Sequence, residues 1–191
     1  MIVPLHIGSA LRRTAVLTPT QDKLICERLN SDYKIRTRFL LRTGVRISEG
    51  RYIDEHRECF REDHSAIFLP QVEGMGKKRC TVKNRAIILC PKGVVAVKEF
   101  FEKNVHLPAY PSMEEAIKRA AMEADFDIQY ITTKMYRKTI FSWYFNCYPE
   151  QEGKILASAG HNQATARGHY ITYGFRKDDV KDMKEETDGW G

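Results

Sequence analysis

Residues 160–170 read Gly160-His161-Asn162-Gln163-Ala164-Thr165-Ala166-Arg167-Gly168-His169-Tyr170, a Gly-His pair set nine residues ahead of a tyrosine near the C-terminus. Upstream lies Lys134-Met135-Tyr136-Arg137, and further upstream Leu41-Arg42-Thr43-Gly44-Val45-Arg46-Ile47-Ser48-Glu49. Together the three segments carry tyrosines, histidines, a lysine and several arginines.

Around these stretches the pattern is mostly helical. Thr18-Pro19-Thr20-Gln21 is a helix start, with Thr18 as cap, Pro19 at the first helical position and Gln21 closing a capping box; the helix runs to about Leu29. A second helix begins after Asp32, carries Ile35, Phe39, Leu40 and Leu41 as apolar positions, and stops near Gly44; Arg46 opens a further short helix. Ala66-Ile67-Phe68-Leu69 and Ala86-Ile87-Ile88-Leu89 are strands flanking a glycine-rich, basic connection that includes Gly74-Met75-Gly76-Lys77-Lys78. Helices are expected over 92–103, over 112–124 with Ser112 and Glu115 as a capping box, over 133–147 as a largely buried element, and over 150–159 up to Gly160. A last helix contains or follows Tyr170, and a polar tail closes the chain. The fold class expected is α+β, mainly α-helical, with one small antiparallel sheet. Residues 1–16, with Pro4, Gly8 and no clear period, read as an extension or linker.

The 191 residues suit one domain with short appendages, and a hydrophobic fraction of 42% allows a real core. Mean hydropathy is −0.47, and no apolar run reaches the roughly 20 residues of a membrane span. The first residues lack the charged and small-residue features of a signal peptide, so the expected location is intracellular. Cys26, Cys59, Cys80, Cys90 and Cys147 are scattered, with no C-x-x-C pair, and suggest free thiols rather than a zinc site or a disulfide framework. Net charge is +6, which favours a polyanionic partner. The charge is concentrated in two stretches: Lys34, Arg36, Arg38, Arg42, Arg46 and Arg51, then Lys77, Lys78, Arg79, Lys83 and Arg85.

Taken in order, these signatures resemble the catalytic domain of the tyrosine recombinase (phage integrase) family, over roughly residues 17 to 175. The resemblance implies that Arg46 and Arg137 grip the scissile phosphate, a task suited to guanidinium forks that keep their charge at any working pH. It makes Tyr170 the nucleophile that forms a 3′-phosphotyrosyl link, with His161 hydrogen-bonded to the phosphate. A phenol with a pKa near 10 needs neighbouring cations to ionise; Tyr173 and Tyr136 lack the His161 spacing. A lysine in the sheet turn would protonate the departing 5′ oxygen, Lys83 being the first choice and Lys78 the alternative. The remaining basic residues of the turn would contact phosphates without sequence preference. Structural readings stand beside these roles: Arg46 as the ion-pair partner of Glu49, Arg137 on a solvated helix face, His161 as a structural histidine.

Lys134 departs from the family, most members of which have histidine there. It resembles the variant of some archaeal viral and plasmid integrases, keeping a cation but losing an imidazole that accepts a proton near pH 7. A second departure is that only residues 1–16 precede the catalytic domain, where the family usually carries a separate helical domain. The chain is thus expected to be a piece of a longer integrase, or else a minimal recombinase. The resemblance further implies double-stranded DNA attachment sites as substrate, a homo-tetramer on DNA, and no cofactor, metal or ATP. Val180, Met183 and Trp190 in the tail 176–191 are candidates for protomer contacts. The rival functions are a type IB topoisomerase-like enzyme that relaxes DNA and a DNA-binding protein with a degenerate site.

Overall fold

The computed structural model describes residues 5–7, 14–71, 84–160, 163 and 174–191. Thr18 caps α1 (Pro19–Glu27) with the expected box: the Gln21 amide donates to Thr18 Oγ1 at 3.3 Å, and the Thr18 amide donates back to Gln21 Oε1 at 2.9 Å. Asn30 caps α2 (Ser31–Thr43), accepting from the Tyr33 amide at 3.0 Å. Gly44 ends α2 with φ +62°, in the left-handed region that a glycine reaches without strain. Its missing side chain matters as well, because a Cβ there would lie 2.8 Å from Phe141 Cε2. Arg46 then opens α3 (Ile47–Glu55).

The apolar positions read from the sequence form the core. Ile35, Phe39, Leu40 and Leu41 of α2 are buried, and Phe39 stacks on Phe100 of α4 (Pro91–Glu102) with centroids 4.3 Å apart. α2 packs on α4 and on α6 (Lys134–Cys147), whose residues from Met135 to Phe145 are all buried. α5 (Tyr110–Glu123) packs on α1. α5 starts earlier than its Ser112 cap suggests, since Pro111 is tolerated in a first turn and the helix begins at Tyr110 behind Ala109.

The small sheet is antiparallel, in the order β3 (Phe60–Arg61), β4 (Ala66–Leu69), β5 (Arg85–Ile88), with Leu69 opposite Arg85 and Ile67 opposite Ile87. Two of its strands were legible; β3 is two residues long, too short to show a period. α7 (Glu152–Ala159) lies against β5, and Ser158 Oγ accepts from the Ile88 amide at 3.1 Å. The described residues thus form a mainly helical α+β domain with a small antiparallel sheet.

Described segments near both termini are built into this body. β1 (His6–Ile7) pairs with β2 (Ala15–Val16), so part of the segment read as an extension is structured, and Ala15, Val16 and Leu17 are fully buried. Leu17 is tied to α6 twice: its amide donates to Thr139 Oγ1 at 3.0 Å and its carbonyl accepts from Trp143 Nε1 at 2.8 Å. At the other end, α8 (Lys177–Glu186) packs on α6. Met183 and Trp190, which the sequence offered for protomer contacts, are buried against this chain's own core; Trp190 stacks on Tyr144 at 4.4 Å and donates to the Ile88 carbonyl at 3.0 Å. Among the described residues no helix is long and apolar enough to cross a membrane. Cys26, Cys59, Cys90 and Cys147 are free thiols, and Cys80 lies outside the described residues.

Candidate active site

The sharp turn at Gly44 sets Arg46 as the residue before α3, so Glu49 falls in the first helical turn. Glu49 folds back on its own helix start, accepting the Arg46 amide at 2.7 Å. That arrangement satisfies one orphan donor and places a negative charge at the positive end of the helix dipole. The Glu49 side chain is 0% exposed, and a carboxylate so buried stays ionised only when cations surround it.

Three arginines do so. Arg85, the first residue of β5, meets Glu49 as a two-pronged fork, Nη1 to Oε1 at 3.0 Å and Nη2 to Oε2 at 2.9 Å. Arg46 Nη1 reaches Oε1 at 2.6 Å. Arg137, from α6, has Nη1 3.9 Å from Oε2. Burial by itself would raise the Glu49 pKa; the pull of Arg85, Arg137 and Arg46 overrides it and holds the carboxyl at about 2. The cluster therefore stays charged at every working pH and carries a surplus of positive charge, three guanidiniums against one carboxylate.

Arg137 does more than face Glu49. Its Nη1 donates to the Gly44 carbonyl at 2.6 Å and its Nη2 donates to the Ala159 carbonyl, while its Cζ lies 5.0 Å over the Phe141 ring. It thereby joins the end of α2 and the end of α7, two helix termini with carbonyls in need of donors. Gly160 follows Ala159 with φ +62°, and a Cβ there would come within 3.1 Å of Arg85 Cδ. The junction leading to His161 in the sequence is thus laid directly on Arg85.

Of the residues named from the sequence, Arg46 and Arg137 are brought together around Glu49. The Arg46–Glu49 ion pair read as a structural alternative is present as well, but its carboxylate is buried and shared rather than at the surface. Arg137 is buried, not on a solvated face. Lys134 is exposed at the first position of α6, three residues before Arg137. Lys78, Lys83, His161 and Tyr170 lie outside the described residues. Sequence reasoning missed the part played by Arg85. The sequence carries little sign of it: Arg85 precedes the run Ala86-Ile87-Ile88-Leu89, which is apolar on both faces, and its partner Glu49 lies 36 residues away in the chain.

Neither a protein-family model nor a curated protein sequence matches this chain. Among solved structures it is similar to the crystal structure of XerA recombinase, with a TM-score of 0.62 and 15% sequence identity, over 90% of this chain and 62% of that one. The fold is that of a tyrosine recombinase catalytic domain. The chain spans about 62% of the length of XerA recombinase.

Proposed function

We propose that this chain is the catalytic part of a site-specific DNA recombinase or integrase, one that cuts and rejoins DNA through a 3′-phosphotyrosyl intermediate. The observation that supports this best is the cluster of Arg46, Arg85 and Arg137 on one buried carboxylate, with Gly160 laid against it. A surplus of fixed guanidinium charge beside a fold of this kind suits a phosphate that gains negative charge in its transition state.

In this reading residues 17–175 form the catalytic domain and double-stranded DNA attachment sites are the substrate. Tyr170 Oη bonds to phosphorus, the bond from phosphorus to the 5′ oxygen breaks, and the phenolic proton leaves to solvent or a nearby base. The 5′ oxygen departs as a hydroxyl, taking its proton from Lys83, with Lys78 as the alternative. Arg46, Arg137 and His161 hold the non-bridging oxygens, and Lys134 adds a cation at the start of α6. Attack by a 5′ hydroxyl on the phosphotyrosine reverses every step, so the phosphodiester energy is conserved and no ATP is spent. Exchange between two DNA sites calls for four protomers, and the place of action is inside the cell. The lysine at position 134 is compatible with an archaeal viral or plasmid integrase.

The test is a nicked, labelled duplex whose cut end diffuses away, trapping the covalent intermediate. Wild-type protein should give an adduct that survives denaturing electrophoresis, and Tyr170→Phe should give none while binding the duplex equally well. Duplex binding without an adduct from the wild type would favour a degenerate DNA-binding protein. Relaxation of supercoils by a monomer, without exchange, would favour the type IB topoisomerase-like reading.

A further inference from the structure

The three arginines around Glu49 are not equivalent. The Arg85 side chain is 6% exposed, engages both carboxylate oxygens, and is overlaid by Gly160. Arg137 is 8% exposed and tied to the Gly44 and Ala159 carbonyls. Arg46 is 40% exposed, and its side chain holds Glu49 through one oxygen that Arg85 also engages.

A phosphate entering this site competes with Glu49 for Arg46. The outcome depends on how much Glu49 needs Arg46. With Arg85 on both oxygens, Glu49 remains neutralised when Arg46 turns away. Without Arg85, the buried carboxylate would have Arg46 as its nearest side-chain cation, and releasing it would leave a poorly compensated buried charge, a costly state.

We propose, on the basis of the recombinase reading above, that Arg85 is a positioning residue: the standing counter-ion of Glu49 that leaves Arg46 free to bind a DNA phosphate. Arg85 itself touches no reacting atom.

The test compares wild type, Arg85→Gln, Arg85→Lys, Glu49→Gln and the double variant Arg85→Gln/Glu49→Gln, all checked for folding by thermal melts. Adduct formation on the nicked duplex at saturating DNA should slow by about tenfold or more in Arg85→Gln, as expected when a charge that stabilises the transition state is sequestered. The added Glu49→Gln should recover most of that loss, because no carboxylate remains to hold Arg46. Arg85→Lys, which keeps the charge but not the two-pronged fork, should lose less than Arg85→Gln. A double variant as slow as Arg85→Gln would overturn the proposal. Should the double variant not fold, a loss in Arg85→Lys equal to that in Arg85→Gln would overturn it instead.

A second arm needs no cleavage. Arg46→Ala should weaken duplex binding by about fivefold in the wild-type background and by less than about twofold in the Arg85→Gln background, measured by fluorescence anisotropy. Equal losses in the two backgrounds would contradict the role given to Arg85. Failure of the wild type to form any adduct would count against the recombinase reading, and this affinity comparison would still decide whether Arg85 governs Arg46.

Discussion

Glu49 shows how one side chain can organise a cationic site. A buried carboxylate held at about 2 by three arginines lies below its ordinary value of 4.5. Its contribution to stability is therefore complete above about pH 4.5 and disappears as the pH falls through about 2. Glu49→Gln should cost about 3 kcal/mol at pH 7, and the difference from wild type should shrink as the pH is lowered through that window. Denaturant titrations of both proteins between pH 2 and pH 7 would check this, and a constant difference would contradict it. At this scale the sequence was half legible. Arg46 and Arg137 were singled out through the family resemblance, and both lie at Glu49. The role of Glu49 as a shared partner could not be picked out, because it depends on Arg85, which lies 36 residues away in the chain.

At the scale of elements, capping residues explain most of what could be read in advance. Thr18 with Gln21, Gly44 and Gly160 all act where the sequence placed them, since their effect is local. The docking of helices on one another was not legible, because it joins residues of distant segments. Asp22 on α1 is an example. Its Oδ1 is buried with no hydrogen-bond partner among the described residues, near the ion pair of Arg42 on α2 with Glu186 on α8. Burial raises the Asp22 carboxyl first of all, Arg42 pulls it back, Glu186 adds to the rise, and the result is about 6 against an ordinary 3.8. A raised carboxyl favours the folded state most below about 3.8, and that advantage is lost as the pH rises through about 6. Asp22→Asn should therefore gain on the wild type by about 2 kcal/mol between pH 4 and pH 8. Urea midpoints at the two pH values would show it, and an unchanged difference would speak against the burial of this carboxyl.

Over the whole molecule, described segments near both termini pack on α6. Leu17, just ahead of α1, is joined to α6 through Trp143, while Trp190 stacks on Tyr144 and binds the Ile88 carbonyl of β5. Removing that ring should be felt globally: Trp190→Ala should destabilise the domain by about 3–5 kcal/mol, the range for truncating a buried aromatic. A calorimetric melt unchanged by the substitution would show that the C-terminal segment is not docked in solution. The mixed, mostly polar character of 176–191 hid this docking from the sequence, since Met183 and Trp190 are isolated apolar residues whose partners are far away in the chain. The central claim concerns the same body as a catalyst: a guanidinium cluster around Glu49 serving a tyrosine that attacks DNA. The most direct test is to trap the protein on the nicked duplex, digest with nuclease and trypsin, and fragment the modified peptide. The account predicts a nucleotide on Tyr170 within the peptide 168–176, and none when Arg137 is replaced by alanine. A nucleotide on Tyr173 or another residue, or an adduct undiminished in Arg137→Ala, would contradict it.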